Sequence, residues 1–214
     1  MQINTSTISL SPKKSFQAID IPGHARLRGQ FVEHLADTKV VAFVVDASTV
    51  SRNAPAVAEC VYTSPNDFVE NSCIGFRHLH HVLHALTSLP ASQAQPELLI
   101  LAHKSDLKSN TASSHTNPHT LAINRIKTIL ERELEKRRAS QSGGVNIEGL
   151  GEEGERSDMG GLECGEKEGS TFKFDEWEGG EISFLGTSIV SGSAEKGGQE
   201  SSLQSLWEWL QDSM

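Results

Sequence analysis

Apolar residues in this chain form short uninterrupted runs, separated by stretches in which they recur every three or four positions. Uninterrupted or alternating runs are typical of strands, and a three-to-four spacing is typical of amphipathic helices. The pattern predicts four strands, at residues 16–20, 39–46, 98–103 and 182–187. It predicts helices at residues 24–36, 54–62, 76–89, 118–138 and about 203–210. This alternation indicates an α/β fold with a mostly parallel sheet and helices on both faces. The run at 39–46 is expected to be covered on both faces.

Composition divides the chain into four parts. Residues 1–14 form a tail rich in Ser and Thr, and residues 15–138 hold most of the predicted core. Residues 139–170 are rich in Gly, Ser and Glu, so we expect a disordered acidic insertion that does not bury enough apolar surface to fold. Its alternative role is docking to a basic partner. Residues 171–214 return to the core with a last strand and helix.

Charge, cysteine content and the length of apolar runs limit the possible partners and location of the protein. The formal net charge of −9 argues against nucleic acid as a direct partner. The three cysteines have no metal-type or paired spacing, which indicates a reducing compartment. No run of about 18 apolar residues is present, so we expect membrane attachment only through a segment missing from this sequence.

The first motif with a chemical meaning is Asp20-Ile-Pro-Gly-His24, directly after a strand. In nucleotide triphosphate switches, the Asp of Asp-x-x-Gly reaches Mg²⁺, usually through water, and the Gly N–H binds the γ-phosphate. Asp20 is therefore the candidate metal residue and Gly23 a candidate phosphate residue. Thr5 or Thr7 is a candidate switch threonine, so residues 1–14 are interpreted as a switch-like tail.

Two further motifs indicate recognition of guanine. His103-Lys104-Ser105-Asp106 ends a strand and nearly matches Asn-Lys-x-Asp, and Ser193-Ala194 follows the last strand. In that arrangement Asp106 accepts hydrogen bonds from guanine, the Lys104 stem covers the ring and the Ala194 N–H bonds O6. All three motifs follow strands, at the edge where open α/β sheets bind ligands. The predicted ligands are GTP and Mg²⁺.

The phosphate-binding loop of such proteins, Gly-x-x-x-x-Gly-Lys-Ser/Thr, does not occur in the sequence. We therefore expect a Ras-like P-loop NTPase fold that lacks its P-loop strand and helix. That strand would lie between those at 16–20 and 40–46, so two strand edges should be unpaired. We also expect the chain as given to bind GTP weakly, and we interpret it as an N-terminally truncated sequence.

Asp20-Ile-Pro-Gly-His-Ala-Arg-Leu-Arg28, Ala42-Phe-Val-Val-Asp46 and Phe172-Lys-Phe174 together resemble the β subunit of the signal recognition particle receptor. The resemblance implies a Ras/Arf-like GTPase on the cytoplasmic face of the endoplasmic reticulum membrane. It also implies that the chain recruits the receptor α subunit, and through it signal recognition particle and ribosome, in co-translational targeting. His24 stands where Ras-like enzymes carry a water-orienting Gln, so it is the candidate catalytic residue. His103 replaces the family's Asn, which puts guanine affinity in question.

Three alternatives remain open from the sequence. A translational GTPase also uses Pro-Gly-His but carries further β domains, and an Arf-like small GTPase lacks the long acidic insertion. A pseudo-GTPase scaffold without nucleotide binding would explain the missing P-loop. Whether the chain is an enzyme is therefore undecided. Separately, His80 and His84, one helical turn apart, are either a metal-binding pair or, in the simpler interpretation, part of a solvated helix face.

Overall fold

The computed structural model describes residues 2–24, 26–50, 70–108, 117–142, 160–164, 171–189 and 203–213. The strands are β1 (Asn4–Ser11), β2 (Lys14–Asp20), β3 (Val40–Asp46), β4 (Glu97–His103) and β5 (Ile182–Thr187). The helices are α1 (Glu70–Thr87), α2 (Pro118–Ser142) and α3 (Gln204–Ser213). The described residues also include 3₁₀ helices at Arg28–Asp37, Ser105–Lys108 and Phe174–Glu176. The predicted helix at 54–62 lies outside the described residues.

The described strands form two separate sheets. β3, β4 and β5 make a parallel sheet in that order, and β1 pairs antiparallel with β2. Among the described strands, β2 and β3 each have one edge without a strand partner, as expected for the two strands that flank the position of a P-loop strand. A cleft of about 620 Å³ lies between them, lined by residues of both strands, by the 3₁₀ helix after β2 and by Leu210 of α3.

β1 lies in residues 1–14, where the apolar pattern predicted no strand. Asn4 pairs with Asp20 and Ser11 with Lys14, so the segment folds back on β2 through a tight turn at Pro12 and Lys13. The Ser- and Thr-rich strand has no apolar run because its residues are mostly exposed. Thr and Ser at exposed strand positions give no burial pattern, and the periodicity therefore missed this element.

The core lies on one face of the parallel sheet. Side chains at alternate positions of β3, β4 and β5 point to this face, where they pack against α1, α2 and the 3₁₀ helix at Arg28–Asp37. The predicted stripe of α2 is buried at Ile126, Leu130 and Leu134, which are 1% exposed or less. Phe31 and Leu35 of the 3₁₀ helix are also buried.

The opposite face of the sheet is covered unevenly, which corrects the prediction that β3 is covered on both faces. Leu99 and Leu101 of β4 are buried on this face, but their register partners Ala42 and Val44 on β3 are exposed, Val44 at 62%. α3 has no buried residue, although its sequence is amphipathic. The apolar side chains of β3 and α3 are therefore only partly buried in the described structure.

Part of the predicted acidic insertion is packed against the core. Residues 139–142 continue α2, and Gly161, Leu162 and Cys164 are buried. The Trp177 indole N–H donates to the Gly161 carbonyl at 2.9 Å, and the backbone of Cys164 forms an isolated antiparallel β-bridge with that of Trp177. The prediction of disorder is thus wrong for residues 160–164, because local composition does not reveal a short apolar contact. The rest of the insertion lies outside the described residues.

Candidate functional site

The carboxyl ends of the three parallel strands meet at one edge of the sheet. The last residues of β3, β4 and β5 are Asp46, His103 and Thr187, and they are direct partners in the strand register. Parallel strands bring their carboxyl ends to a common edge, where open α/β sheets bind ligands. The chain thus places the predicted base-recognition residues next to a row of polar side chains.

His103, in the middle of this row, makes contacts with both neighbouring strand ends. Its ring Nδ1 lies 3.2 Å from the Thr187 hydroxyl oxygen, and its backbone carbonyl accepts the Ala47 N–H at 2.8 Å. The imidazole therefore ties the end of β4 to the end of β5.

Lys104 turns the chain sharply at the end of β4. Its φ of 58° is in the left-handed region, which is unfavourable for a residue with a Cβ. Its ammonium group lies 2.5 Å from a carboxylate oxygen of Asp46. Backbone strain of this kind is maintained only where neighbouring contacts determine the conformation. The ion pair with Asp46 is one such contact.

Asp46 is the acceptor at the centre of this arrangement. Besides Lys104, it accepts the Ser48 N–H at 2.8 Å and the Ser48 hydroxyl at 2.5 Å. Partial burial raises its pKa, but the hydrogen bonds from Lys104 and Ser48 outweigh burial and lower the pKa to about 2. Asp46 is therefore ionised at neutral pH and keeps Lys104 at the sheet edge.

Ser105 and Asp106 follow the sharp turn. Ser105 is fully buried, its hydroxyl donates to the Thr187 carbonyl at 3.1 Å, and it lies 2.6 Å from His119 Nδ1. Asp106 is half-buried in the first turn of the 3₁₀ helix Ser105–Lys108. The buried Ser105 anchors the loop, while Asp106 keeps part of its surface open to solvent.

The residues of the Asp-x-x-Gly motif lie at the end of β2, on the other sheet. Asp20, Gly23 and His24 are exposed, and the His24 ring Nδ1 accepts the Arg26 N–H at 3.3 Å. A Cβ added at Gly23 would meet nothing within 4 Å. Packing therefore does not require glycine there. Ser193 and Ala194 lie outside the described residues.

Comparisons with known proteins agree with the sequence motifs. A family profile described as signal recognition particle receptor beta subunit matches residues 1–73. The signal recognition particle receptor subunit beta of Dictyostelium discoideum is 26% identical over 164 residues, which cover 76% of this chain and 43% of that protein. The chain is similar to the β subunit of the signal recognition particle receptor. It spans less than half the length of this curated relative.

A solved structure of a receptor of this kind has a similar fold. The receptor protein SRb of Chaetomium thermophilum, bound to GDP and Mg, aligns with a TM-score of 0.51 and 23% identity, over 92% of this chain and 79% of that chain. The SRb-GTP/SRX complex of the same organism gives a TM-score of 0.49 at 16% identity, over 99% and 77% of the two chains. The predicted Ras-like α/β fold is confirmed.

Several residues of the site were not predicted from the sequence as contributors. Asp46 belonged to a recognised motif but had no assigned role, and Thr187, Ser105 and His119 were not selected. Two signals in the sequence point to these residues. Ser105 lies inside the near match to Asn-Lys-x-Asp, and Asp46 and Thr187 are the last residues of predicted strands, where ligand sites of open α/β sheets lie. His119 had no such signal, because only the packing of α2 brings it to the loop.

The histidine pair of α1 is not a solvated face. His80 is 1% exposed and its ring Nε2 donates to the Gly160 carbonyl at 3.1 Å, so the prediction of a solvated position is wrong for His80. Among the described residues, no group of three or more His, Cys, Asp or Glu side chains is arranged to hold a metal ion. His84 packs against Gly160 and Gly161. The pair therefore seats the 160–164 segment on α1.

Proposed function

We propose that this chain is a guanine-nucleotide-binding subunit of a signal recognition particle receptor. The observation that carries the proposal is the sheet edge at which His103, Lys104 and Asp106 lie in an ordered turn beside Asp46. It is joined to a sequence similarity that covers 76% of the chain. Each feature alone is less specific, since carboxylates and lysines at sheet edges occur in many α/β proteins.

The chemistry of the turn fits guanine. The Asp106 carboxylate has acceptors for the N1–H and exocyclic amine of guanine, whereas adenine presents the opposite pattern at the corresponding edge. Lys104 is fixed at its ammonium end by Asp46, which leaves its aliphatic stem to cover a ring face. Ala194, in the Ser193-Ala194 motif, would supply the N–H for O6.

GTP and Mg²⁺ are the proposed ligands, and the phosphate side of the site rests on the end of β2. The exposed Asp20 carboxylate would hold Mg²⁺ through water, and Gly23 has open space in which a phosphate oxygen would reach its N–H. Mg²⁺ commonly takes one or two carboxylates, with waters and phosphates completing its coordination. No P-loop sequence occurs in residues 1–214, so these two residues fit only part of a phosphate site.

His24 is the proposed water-orienting residue. Its Nδ1 accepts the Arg26 N–H, so the neutral ring carries its proton on Nε2. That nitrogen would donate a hydrogen bond to an attacking water beside Gly23. Because an imidazole in this role differs from the Gln of Ras-like enzymes, we propose slow or partner-dependent hydrolysis.

The proposed partner is the α subunit of the receptor, and the proposed location is the cytoplasmic face of the endoplasmic reticulum membrane. Through the α subunit the chain would act in co-translational targeting with signal recognition particle and ribosome. This part rests on the family resemblance. No helix in the described ranges is long and apolar enough to cross a membrane.

Selectivity for the base tests the proposed function. Asp106→Asn turns one acceptor into a donor, so guanosine affinity should fall and xanthosine affinity rise, each by about 5- to 150-fold, corresponding to about 1–3 kcal/mol. The measurement is nuclear magnetic resonance titration of the chain with guanosine, xanthosine and adenosine. Asp212→Asn, at an exposed position of α3, is the matched control and should change nothing. An unchanged preference for guanosine in Asp106→Asn would exclude Asp106 as the base-reading residue.

A scaffold without nucleotide binding is the second candidate, and the absence of a P-loop sequence favours it. Binding to the purified receptor α subunit separates the two functions. A scaffold would bind the α subunit equally well with or without guanine nucleotide and would show no shift with any nucleoside. A nucleotide-dependent subunit would bind the α subunit more tightly in the presence of GTP than in that of GDP.

A further inference from the structure

The hydroxyl of Ser105 determines which ring nitrogen of His119 carries a proton. A serine hydroxyl has a single proton, and the Thr187 carbonyl, 3.1 Å from the Ser105 hydroxyl oxygen, forms a hydrogen bond only by accepting that proton. His119 Nδ1 lies 2.6 Å from the Ser105 hydroxyl oxygen. The short contact is a hydrogen bond only if Nδ1 carries a proton. His119 is therefore the donor, and Ser105 links it to the end of β5.

The position of His119 is fixed by close contacts with β5 and by the cap of α2. A Cβ at Gly186 of β5 would lie 2.9 Å from the His119 Cβ and 3.1 Å from its Nδ1, so only glycine leaves room for the imidazole. Asn117 accepts the His119 N–H at 3.0 Å through its side-chain oxygen, which caps the start of α2. Helix, strand and loop thus converge on one half-buried side chain.

The loop held by this side chain is the one that carries the base-recognition residues. Ser105 directly follows Lys104, whose left-handed backbone conformation requires support from its surroundings. Asp106 directly follows Ser105, and the Leu107 N–H donates to the Lys104 carbonyl at 3.3 Å. Fixing the Ser105 hydroxyl from α2 therefore limits the movement of both neighbours.

We propose that His119 is a positioning residue for guanine recognition, which donates its Nδ1–H to Ser105 and thereby fixes the turn that presents Asp106. This inference rests on the proposed function, because Asp106 reads a base only in a nucleotide-binding chain. In this proposal His119 would not itself contact the nucleotide. Its effect passes through the Ser105 hydroxyl to the backbone of residues 104–107.

The test uses the full chain and two substitutions at one position. His119→Ala removes the donor, and His119→Asn restores an N–H near the position of Nδ1. We expect the Leu107 amide to exchange with deuterium at least tenfold faster in His119→Ala and at nearly the original rate in His119→Asn. The preference for guanosine over adenosine should fall about tenfold in His119→Ala and recover in His119→Asn. His34→Ala, on the 3₁₀ helix far along the chain from this loop, is the control and should leave both readouts unchanged.

Each result decides for or against the inference. Unchanged exchange at Leu107 in His119→Ala overturns it, as does a failure of His119→Asn to restore the rate. Faster exchange throughout β4 as well would show a general structural role and also overturn it. If the loop loosens and is rescued as expected, but no variant distinguishes guanosine from adenosine, the anchoring of the loop by His119 is supported and the proposed function fails.

Discussion

β3 and β4 are neighbouring strands of similar composition, yet they have different surroundings. Five of the seven residues of β4 are buried, whereas no residue of β3 is fully buried. On the face opposite the core, Leu101 is 9% exposed and its register partner Val44 is 62% exposed. An apolar run therefore predicts a strand in both cases but predicts its burial in only one.

The difference follows from the neighbours of each strand. β4 lies between β3 and β5, so both of its edges are paired, while β3 has the cleft toward β2 on one side. An unpaired edge leaves backbone N–H and C=O groups exposed to water or to another chain. β4 thus lies in the covered part of the parallel sheet. β3 borders the cleft, which residues of β2 and Leu210 of α3 also line.

The largest expected effect contrasts the register partners Leu101 and Val44. Leu101→Ala should reduce the free energy of unfolding by about 2–5 kcal/mol, because it removes buried methyl groups and leaves a cavity. Val44→Ala should cost less than about 1 kcal/mol, since the side chain is largely in water and only strand preference changes. Urea denaturation of both variants measures the difference. Equal costs would mean that the exposed face of β3 is covered in solution.

A second contrast tests whether residues 160–164 pack on α1. Gly161 has a φ of 92°, and an added Cβ would lie 2.5 Å from the His84 Cα, so Gly161→Ala should destabilise the chain by about 1–3 kcal/mol. At Gly160 the closest atom is a His84 ring carbon at 3.1 Å, which is able to move. Gly160→Ala should therefore cost less than about 1 kcal/mol. Thermal unfolding of the two variants gives the comparison, and similar melting temperatures would show that residues 160–164 do not pack on α1 in solution.

The smallest effect concerns the ion pair that joins the end of β3 to the loop after β4. The pKa of Asp46 is about 2 in the folded chain against an ordinary value of 3.8. Stability from this carboxylate is therefore fully present above about pH 4 and is lost as the pH falls toward 2. Asp46 and Lys104 are 31% and 48% exposed, so solvent screening should keep the contribution below about 1 kcal/mol.

Urea midpoints measured between pH 2.5 and pH 6 test this expectation. The original chain should lose slightly more stability on acidification than Asp46→Asn, which has no carboxylate to protonate at that position. Asp37→Asn, at an exposed position of the 3₁₀ helix, serves as the control for removal of a negative charge. Parallel pH profiles for the original chain and Asp46→Asn would contradict a stabilising role of the ion pair.

Part of the candidate site was visible in the sequence. Asp20 ends β2 and Asp106 follows β4 by three residues. Polar residues directly after apolar runs are typical of ligand sites at sheet edges, and both features are local. Thr187 and His119 were not visible as one unit with Ser105. They are 68 residues apart, and the hydrogen bonds that join them form only when α2 packs beside β5.

The sequence by itself determined the positions of β2 to β5, the buried stripe of α2 and the motifs at two strand ends. It did so because periodicity records which side chains leave water within one element. Tertiary structure decided that β1 exists as a strand, that both faces of β4 are buried while one face of β3 is exposed, and that His80 and residues 160–164 pack together. These outcomes depend on which element covers another, and a one-dimensional pattern holds no information on that pairing.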